Sequence, residues 1–175
     1  MTAAVVPALP GRTGLWVFLA SDLFSFLSLL FIWAFLRAGN EAFRAEGDPS
    51  PGSALTAGLT AALVLSSLAT WRATRAARPG GWLLLSAVLG ALFVAGQGVE
   101  WAGLSLDGLE LGRSQYASTF FLVTGFHGLH VAVGALLAAG AAVRSAQSDA
   151  VRSVALYCQF VDAVWLLILA TVYAA

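Results

Sequence analysis

The fold class is decided by the stretch Gly14-Leu-Trp-Val-Phe-Leu-Ala-Ser-Asp-Leu-Phe-Ser-Phe-Leu-Ser-Leu-Leu-Phe-Ile-Trp-Ala-Phe-Leu36. It contains a single ionisable residue, Asp22, and is otherwise almost wholly apolar. The hydrocarbon core of a bilayer is about 30 Å thick and needs about 20 apolar residues in one helix. The stretch therefore predicts a transmembrane helix, and it is too long for the apolar core of a signal peptide.

Four further apolar runs predict four more spans, so the spans cover residues 14–36, 53–71, 81–103, 117–143 and 151–174. The whole chain is 59% hydrophobic and 10% charged, whereas soluble domains contain roughly 25% charged residues. No segment of soluble composition can be separated, which predicts one domain over residues 1–175. The connections are short, so we expect an all-α bundle in which sequential helices are antiparallel neighbours.

The orientation follows from the arginines, because cytoplasmic loops collect positive charge. All nine basic residues are arginine, and most of them lie on the side of the N-terminus: Arg12, Arg72, Arg75, Arg78, Arg144 and Arg152. We therefore expect a cytoplasmic N-terminus and an external C-terminus. The absence of lysine suits a GC-rich genome and indicates a bacterial plasma (inner) membrane. The net charge of zero, without a basic cluster, argues against nucleic-acid binding.

Several polar or ionisable side chains lie inside the predicted spans. An ionisable residue at the centre of a span costs roughly 2.5 to 3.5 kcal/mol on insertion scales, so each needs a partner or a function. The residues that we expect to be buried and structural are Asp22, Gln97, Glu100, His127, His130, Asp162 and Trp165.

Helical spacing and depth predict how some of these groups are satisfied. Ser21, Asp22, Ser25 and Ser28 share one side of the first helix, and we expect that side to face protein. Asp22 and His130 lie at a similar depth, which predicts that they pair.

The two carboxyl groups of Asp22 and Asp162 are expected to be satisfied inside the bundle. The candidate donors are histidine, serine and glutamine side chains.

The histidines His127 and His130 are three residues apart and could share a metal. A transmembrane haem normally needs histidines on opposite helices, and the chain has only these two. We therefore expect no metal, cofactor or catalytic residue, and we expect the lone cysteine, Cys158, to be a small buried hydrophobe.

A proton path through Asp22, Asp162 and Glu100 would make the chain a small channel or transporter. These acids span the membrane depth, but no ladder of polar residues joins them and the chain shows no internal repeat. Structural pairing is the favoured interpretation, and the transport interpretation stays as an alternative.

Four motifs together resemble subunit III of the haem-copper terminal oxidases, the cytochrome c oxidase subunit III family. They are Ala20-Ser21-Asp22, Gln97-Gly98-Val99-Glu100-Trp101, Phe120-Phe-Leu-Val-Thr-Gly-Phe-His-Gly-Leu-His-Val131 and Phe160-Val-Asp-Ala-Val-Trp-Leu166. They occur in the family's order across nearly the whole chain. Longer members of the family have seven helices, and this chain resembles the last five.

The resemblance implies a non-catalytic accessory subunit of an oxidase in aerobic electron transport. It implies packing on subunit I, with subunit II and other respiratory-complex subunits in the same assembly, and support of assembly, stability and proton uptake. Haem and copper would belong to the partner subunits, and phospholipid would bind in the assembled complex.

Two departures from the family pattern stand out. Asp22 replaces the usual glutamate, which keeps the charge but shortens the side chain, and Cys158-Gln159 replaces the usual Trp-His before the last motif. The related accessory protein of some bacterial nitric oxide reductases shares these motifs and is a second interpretation.

Overall fold

A computed structural model describes residues 10–144 and 148–173. These residues form five α-helices and the connections between them. The helices are α1 (Pro10–Gly39), α2 (Ser53–Ala73), α3 (Gly80–Leu106), α4 (Gln115–Val143) and α5 (Ser148–Ile168), and α5 continues into a π-helical turn (Leu169–Tyr173). All five helices are long and apolar enough to cross a membrane. The prediction of an all-α chain with five spans is confirmed, with helix ends within a few residues, although the predicted end at Ala174 lies outside the described residues.

The end of α3 shows how the sequence stops these long helices. The Gly108 N–H donates to the Ser105 carbonyl at 3.1 Å, and the Leu109 N–H donates to the Leu104 carbonyl at 2.8 Å. This pair of bonds is a Schellman motif, which needs a residue in the left-handed region. Gly108 has φ of 91°, a value that a side chain would disfavour.

Helices α2, α3, α4 and α5 form a closed ring, in which each helix packs against two others. Helix α1 lies outside this ring and packs against α4 and α5. The expectation that sequential helices are neighbours is therefore wrong for α1 and α2, whose main contacts are with other helices. The connection between them, residues 40–52, is long enough to cross the end of the bundle. We call this end, where α1 finishes, the distal end, and the opposite end the proximal end.

Helices α2 and α3 approach closely where Gly96 faces Leu59. A Cβ atom at Gly96 would overlap a methyl group of the Leu59 side chain, which is itself buried. Gly98, two residues later on the same helix, has open space at the corresponding position.

We expect Gly96→Ala to destabilise the protein by about 1 to 3 kcal/mol, because an overpacked core forces side chains and backbone to shift. Gly98→Ala is the matched control and should be neutral or stabilising, because alanine favours helix more than glycine does. Thermal unfolding of the detergent-solubilised protein in its native complex measures both. Equal midpoints for the two variants would contradict the close approach of α2 and α3.

Candidate functional site: buried polar groups between the helices

Asp22 and His130 join α1 to α4. The His130 Nε2 atom lies 3.1 Å from Asp22 Oδ1, and both side chains are largely buried. The other ring nitrogen, Nδ1, lies 2.7 Å from the Phe126 carbonyl oxygen one turn earlier. The Tyr157 hydroxyl donates to the His130 carbonyl at 3.2 Å and brings α5 to the same point.

The bonding of the His130 ring fixes the charge of this pair. The Phe126 carbonyl can only accept a hydrogen bond, so Nδ1 must carry a hydrogen. Nε2 then either donates to an Asp22 carboxylate or accepts from an Asp22 carboxylic acid. In both cases one proton lies between the two side chains and the pair as a whole is neutral. A neutral pair is the form that costs least inside a membrane.

The serines near Asp22 do not share its environment, so within this chain the expectation that their side of α1 faces protein is met at Asp22 and not at the serines. Asp22 is buried, whereas Ser21, Ser25 and Ser28 are exposed. Each serine hydroxyl instead donates to the backbone carbonyl four residues earlier in α1. A hydroxyl in a helix can be satisfied locally in this way, so its spacing alone does not show that it contacts another helix.

Glu100 lies at the centre of a second cluster, which joins α3 to α2 and to the π-helical turn. Its Oε1 accepts from the Thr56 hydroxyl at 2.7 Å. Its Oε2 accepts from Gln97 Nε2 at 2.7 Å and from the Tyr173 hydroxyl at 2.8 Å. Glu100 and Gln97 are both buried. The carboxyl group thus holds three segments of the chain together near the distal end.

His127 has a different environment from His130. It is fully buried, and neither of its ring nitrogens has a hydrogen-bond partner. Its ring stacks on the Trp165 ring, with 5.1 Å between the ring centroids. It also makes an edge-to-face contact with Phe93, with 5.5 Å between the centroids. Trp165 is itself anchored, since its Nε1 donates to Thr60 Oγ1 at 3.0 Å. His127 therefore packs as an aromatic ring among aromatic rings.

No metal-binding cluster is evident within residues 10–144 and 148–173. No three or more His, Cys, Asp or Glu side chains in these residues are grouped so that they could hold a metal ion. Cys158 is a free, buried thiol whose Sγ lies 3.8 Å from the Gly134 carbonyl oxygen.

Asp162 joins α5 to α2. Its Oδ2 accepts from the Ser67 hydroxyl at 2.5 Å. Unlike Asp22 and Glu100, Asp162 is only partly buried, and one side of it borders a groove between α2 and α5. The three membrane acids are therefore held separately, each by partners on another helix.

The hydroxyl partners on α2 were not among the residues singled out from the sequence. Thr56, Thr60 and Ser67 bind Glu100, Trp165 and Asp162 respectively. They are spaced by four and then seven residues, which places them on one face of a helix. In the sequence, that spacing indicates which side of α2 faces the other helices.

At the distal end, Asp48 ties the α1–α2 connection to the α3–α4 connection. It accepts from Arg113 Nε at 2.9 Å, from the Ser114 hydroxyl at 2.6 Å and from the Ala45 N–H at 2.9 Å. Burial raises the pKa of the Asp48 carboxyl, but the bonds from Ser114, Ala45 and Arg113 together outweigh burial and hold the pKa below its usual value. Ser114 also caps α4 by accepting from the Ala117 N–H.

We expect Asp48→Asn to lower stability by about 2 kcal/mol near pH 7, because hydrogen bonds to a charged group contribute roughly 1.5 to 3 kcal/mol. A lowered pKa means that the contribution is complete above the unfolded-state pKa of about 4 and is lost as the pH falls below it. The difference between wild type and variant should therefore shrink below about pH 4 in thermal unfolding of the native complex. Asp107→Asn, at an exposed position, is the control, and a difference that does not change with pH would contradict the assignment.

Comparisons of the sequence with known proteins identify its family. Residues 54–175 match the family model described as cytochrome c oxidase subunit III. A probable cytochrome c oxidase subunit 3 from Nocardia farcinica is 34% identical, over 90% of this chain and 84% of the relative. Cytochrome c oxidase subunit 3 of Corynebacterium diphtheriae is 33% identical over the same shares, and that of Synechocystis is 31% identical over 91% of this chain and 73% of the relative. The chain therefore belongs to the cytochrome c oxidase subunit III family.

Proposed function

We propose that this chain is a non-catalytic accessory subunit of a haem-copper respiratory terminal oxidase in a bacterial plasma membrane. It packs on the catalytic subunit I, within an assembly that also includes subunit II, and the haems and copper belong to those partners. Its N-terminus is cytoplasmic, so the proximal end, which carries Arg72, Arg75 and Arg78, faces the cytoplasm.

The observation that carries this proposal is how the three acids inside the spans are bonded. Asp22, Glu100 and Asp162 each accept or share a hydrogen bond with a side chain on another helix. A polar group inside a bilayer that is bonded between helices fixes how those helices pack. This supports a role in holding a precise transmembrane surface for partner chains, and family membership supports the identity of those partners.

The same surface suits the further roles that we propose. Many large apolar side chains are exposed along the helices, including Phe24, Phe31 and Leu136. In a membrane these side chains contact either lipid or partner helices. From the family resemblance, we further propose that the subunit keeps phospholipid in place and maintains the proton-uptake entrance of subunit I during repeated turnover of oxygen reduction.

Purification from the native membrane tests this proposal. The chain is tagged, the complex is isolated in mild detergent, and its visible spectrum and oxygen consumption are recorded. We expect co-purifying chains with haem absorbance and oxygen reduction, and we expect a strain that lacks this subunit to yield an oxidase that loses activity faster during turnover. A colourless, self-sufficient bundle would overturn the proposal, and a haem complex that reduces nitric oxide but not oxygen would place the chain with a different reductase.

A further inference from the structure

A groove runs along the surface of the bundle between α2 and α5, with a volume of about 470 Å³. We call it the α2–α5 groove. Its walls include Val64, Leu68 and Leu166, which are about half exposed. Polar groups interrupt these apolar walls: Ser67, Gln159 and Asp162 all line it. The last two are three residues apart, so they lie one above the other on the same face of α5.

The carboxyl group in this groove lies inside the membrane-spanning part of the bundle. Ser67, which donates to Asp162, is six residues from the proximal end of α2. At 1.5 Å per residue, this places the pair about 9 Å below the end of that helix. The acyl chains of lipids offer no hydrogen-bond donor at such a depth.

Asp162 needs hydrogen-bond donors from other elements, whereas the exposed serines of α1 do not. Ser21, Ser25 and Ser28 donate to carbonyls of their own helix and can therefore face acyl chains. A carboxyl group requires donors, and the N–H groups in the interior of a helix are already bonded within it. Ser67 supplies one donor to Asp162. Among the described residues no other side chain donates to it, including Gln159 on the same face of α5, so a neighbouring chain is the source we infer for a further donor.

We propose that the α2–α5 groove is the docking site for a transmembrane helix of a partner subunit. That helix inserts apolar side chains between Val64 and Leu166, and it places a side chain with an N–H or O–H donor against Asp162. The groove has room for a few large side chains and not for a whole helix, so the partner helix lies along it and fills it from outside. This inference rests on the proposed role as an accessory subunit and identifies the face through which that role is performed.

Site-specific photo-crosslinking in the intact complex tests the docking face. In two variants, a benzophenone amino acid replaces Val64 or Leu166 in the groove. In the matched control variant, it replaces Val88 on the exposed surface of α3. We expect the two groove positions to capture a protein chain several-fold more efficiently than the Val88 position does. Capture of lipid alone, or of no more protein than at Val88, would overturn the proposal.

Substitutions test the hydrogen bond. Asp162→Leu should reduce the capture of the partner by about tenfold, which corresponds to the loss of about 1.4 kcal/mol of binding free energy. Asp162→Asn keeps a hydrogen-bonding side chain and should retain most of the capture. If Asp162→Leu prevents folding, the crosslinking variants at Val64 and Leu166, which retain Asp162, still show whether a partner chain lies in the groove.

The two proposals fail in different ways. If haem-containing subunits do not co-purify with the chain, the proposed accessory role is wrong. If they do co-purify and the groove positions capture only lipid, the accessory role stands and the α2–α5 groove is not its docking face.

Discussion

Replacing Glu100 by leucine is expected to destabilise the protein by about 2 to 4 kcal/mol. The change removes three hydrogen bonds, from Thr56, Gln97 and Tyr173. The Thr56 hydroxyl keeps the Gly52 carbonyl and Gln97 keeps a longer bond to Tyr173, whereas the Tyr173 hydroxyl loses the acceptor that it has among the described residues. A buried donor left without an acceptor costs about 1 to 3 kcal/mol, and the costs of neighbouring groups do not add fully. The π-helical turn should loosen first, because the Tyr173 hydroxyl bonds to Glu100 from that turn.

Thermal unfolding and limited proteolysis of the detergent-solubilised complex measure this effect. Glu100→Gln keeps one acceptor oxygen and should lose roughly half as much stability. Tyr173→Phe should lose about 1 to 2 kcal/mol, because it removes the bond to Glu100 and the longer bond from Gln97. Glu110→Gln, on the exposed loop after α3, is the matched control. A Glu100→Leu variant as stable as this control would show that the cluster does not hold α2, α3 and the turn together.

The second large effect is expected at the Asp22–His130 pair, where the two single substitutions should differ. His130→Ala leaves the Asp22 carboxyl in the membrane without its partner, and we expect a loss of about 3 to 5 kcal/mol. Asp22→Ala should cost less, because a neutral His130 keeps its bond from Nδ1 to the Phe126 carbonyl. The double variant should be more stable than His130→Ala alone, since it removes the orphaned acid.

A double-mutant cycle on the intact complex measures the coupling between these two side chains. Asp149→Asn, at an exposed position near the start of α5, is the control for loss of a carboxylate. Additive effects of the two single substitutions, with the double variant the least stable of all, would be inconsistent with a bonded pair. Because α1 packs mainly against α4 and α5 and lies outside the ring of the other four helices, we expect its detachment to be the first structural consequence of breaking the pair.

Most of the fold was predictable because a bilayer restricts the chain so strongly. A run such as Gly14 to Leu36 has to form a helix, since every backbone N–H and C=O group in the hydrocarbon must be bonded within the segment. The number of spans and the position of their ends followed from length and composition. The depth of Asp22 and His130 also followed, because a helix rises by a constant amount per residue.

The lateral arrangement of the helices was not predictable in the same way. Sequence adjacency suggested that α1 packs on α2, but α1 packs on α4 and α5. Serine spacing suggested a protein-facing side of α1, but Ser21 and Ser25 bond to their own backbone. Lateral packing depends on which surfaces fit one another, and the hydropathy of a single helix contains no information about that fit.

The sequence by itself determined that this chain has five spanning helices, that a few ionisable side chains lie inside them, and which family it resembles. The similar depth of Asp22 and His130 predicted that they pair. Only the tertiary structure decided which helices supply the other partners: Thr56 and Tyr173 for Glu100, and Ser67 for Asp162. The physical reason is that the cost of placing a polar group in lipid is a property of the residue and its depth. The bond that offsets this cost is a property of whichever side chain the packing of another helix brings within about 3 Å.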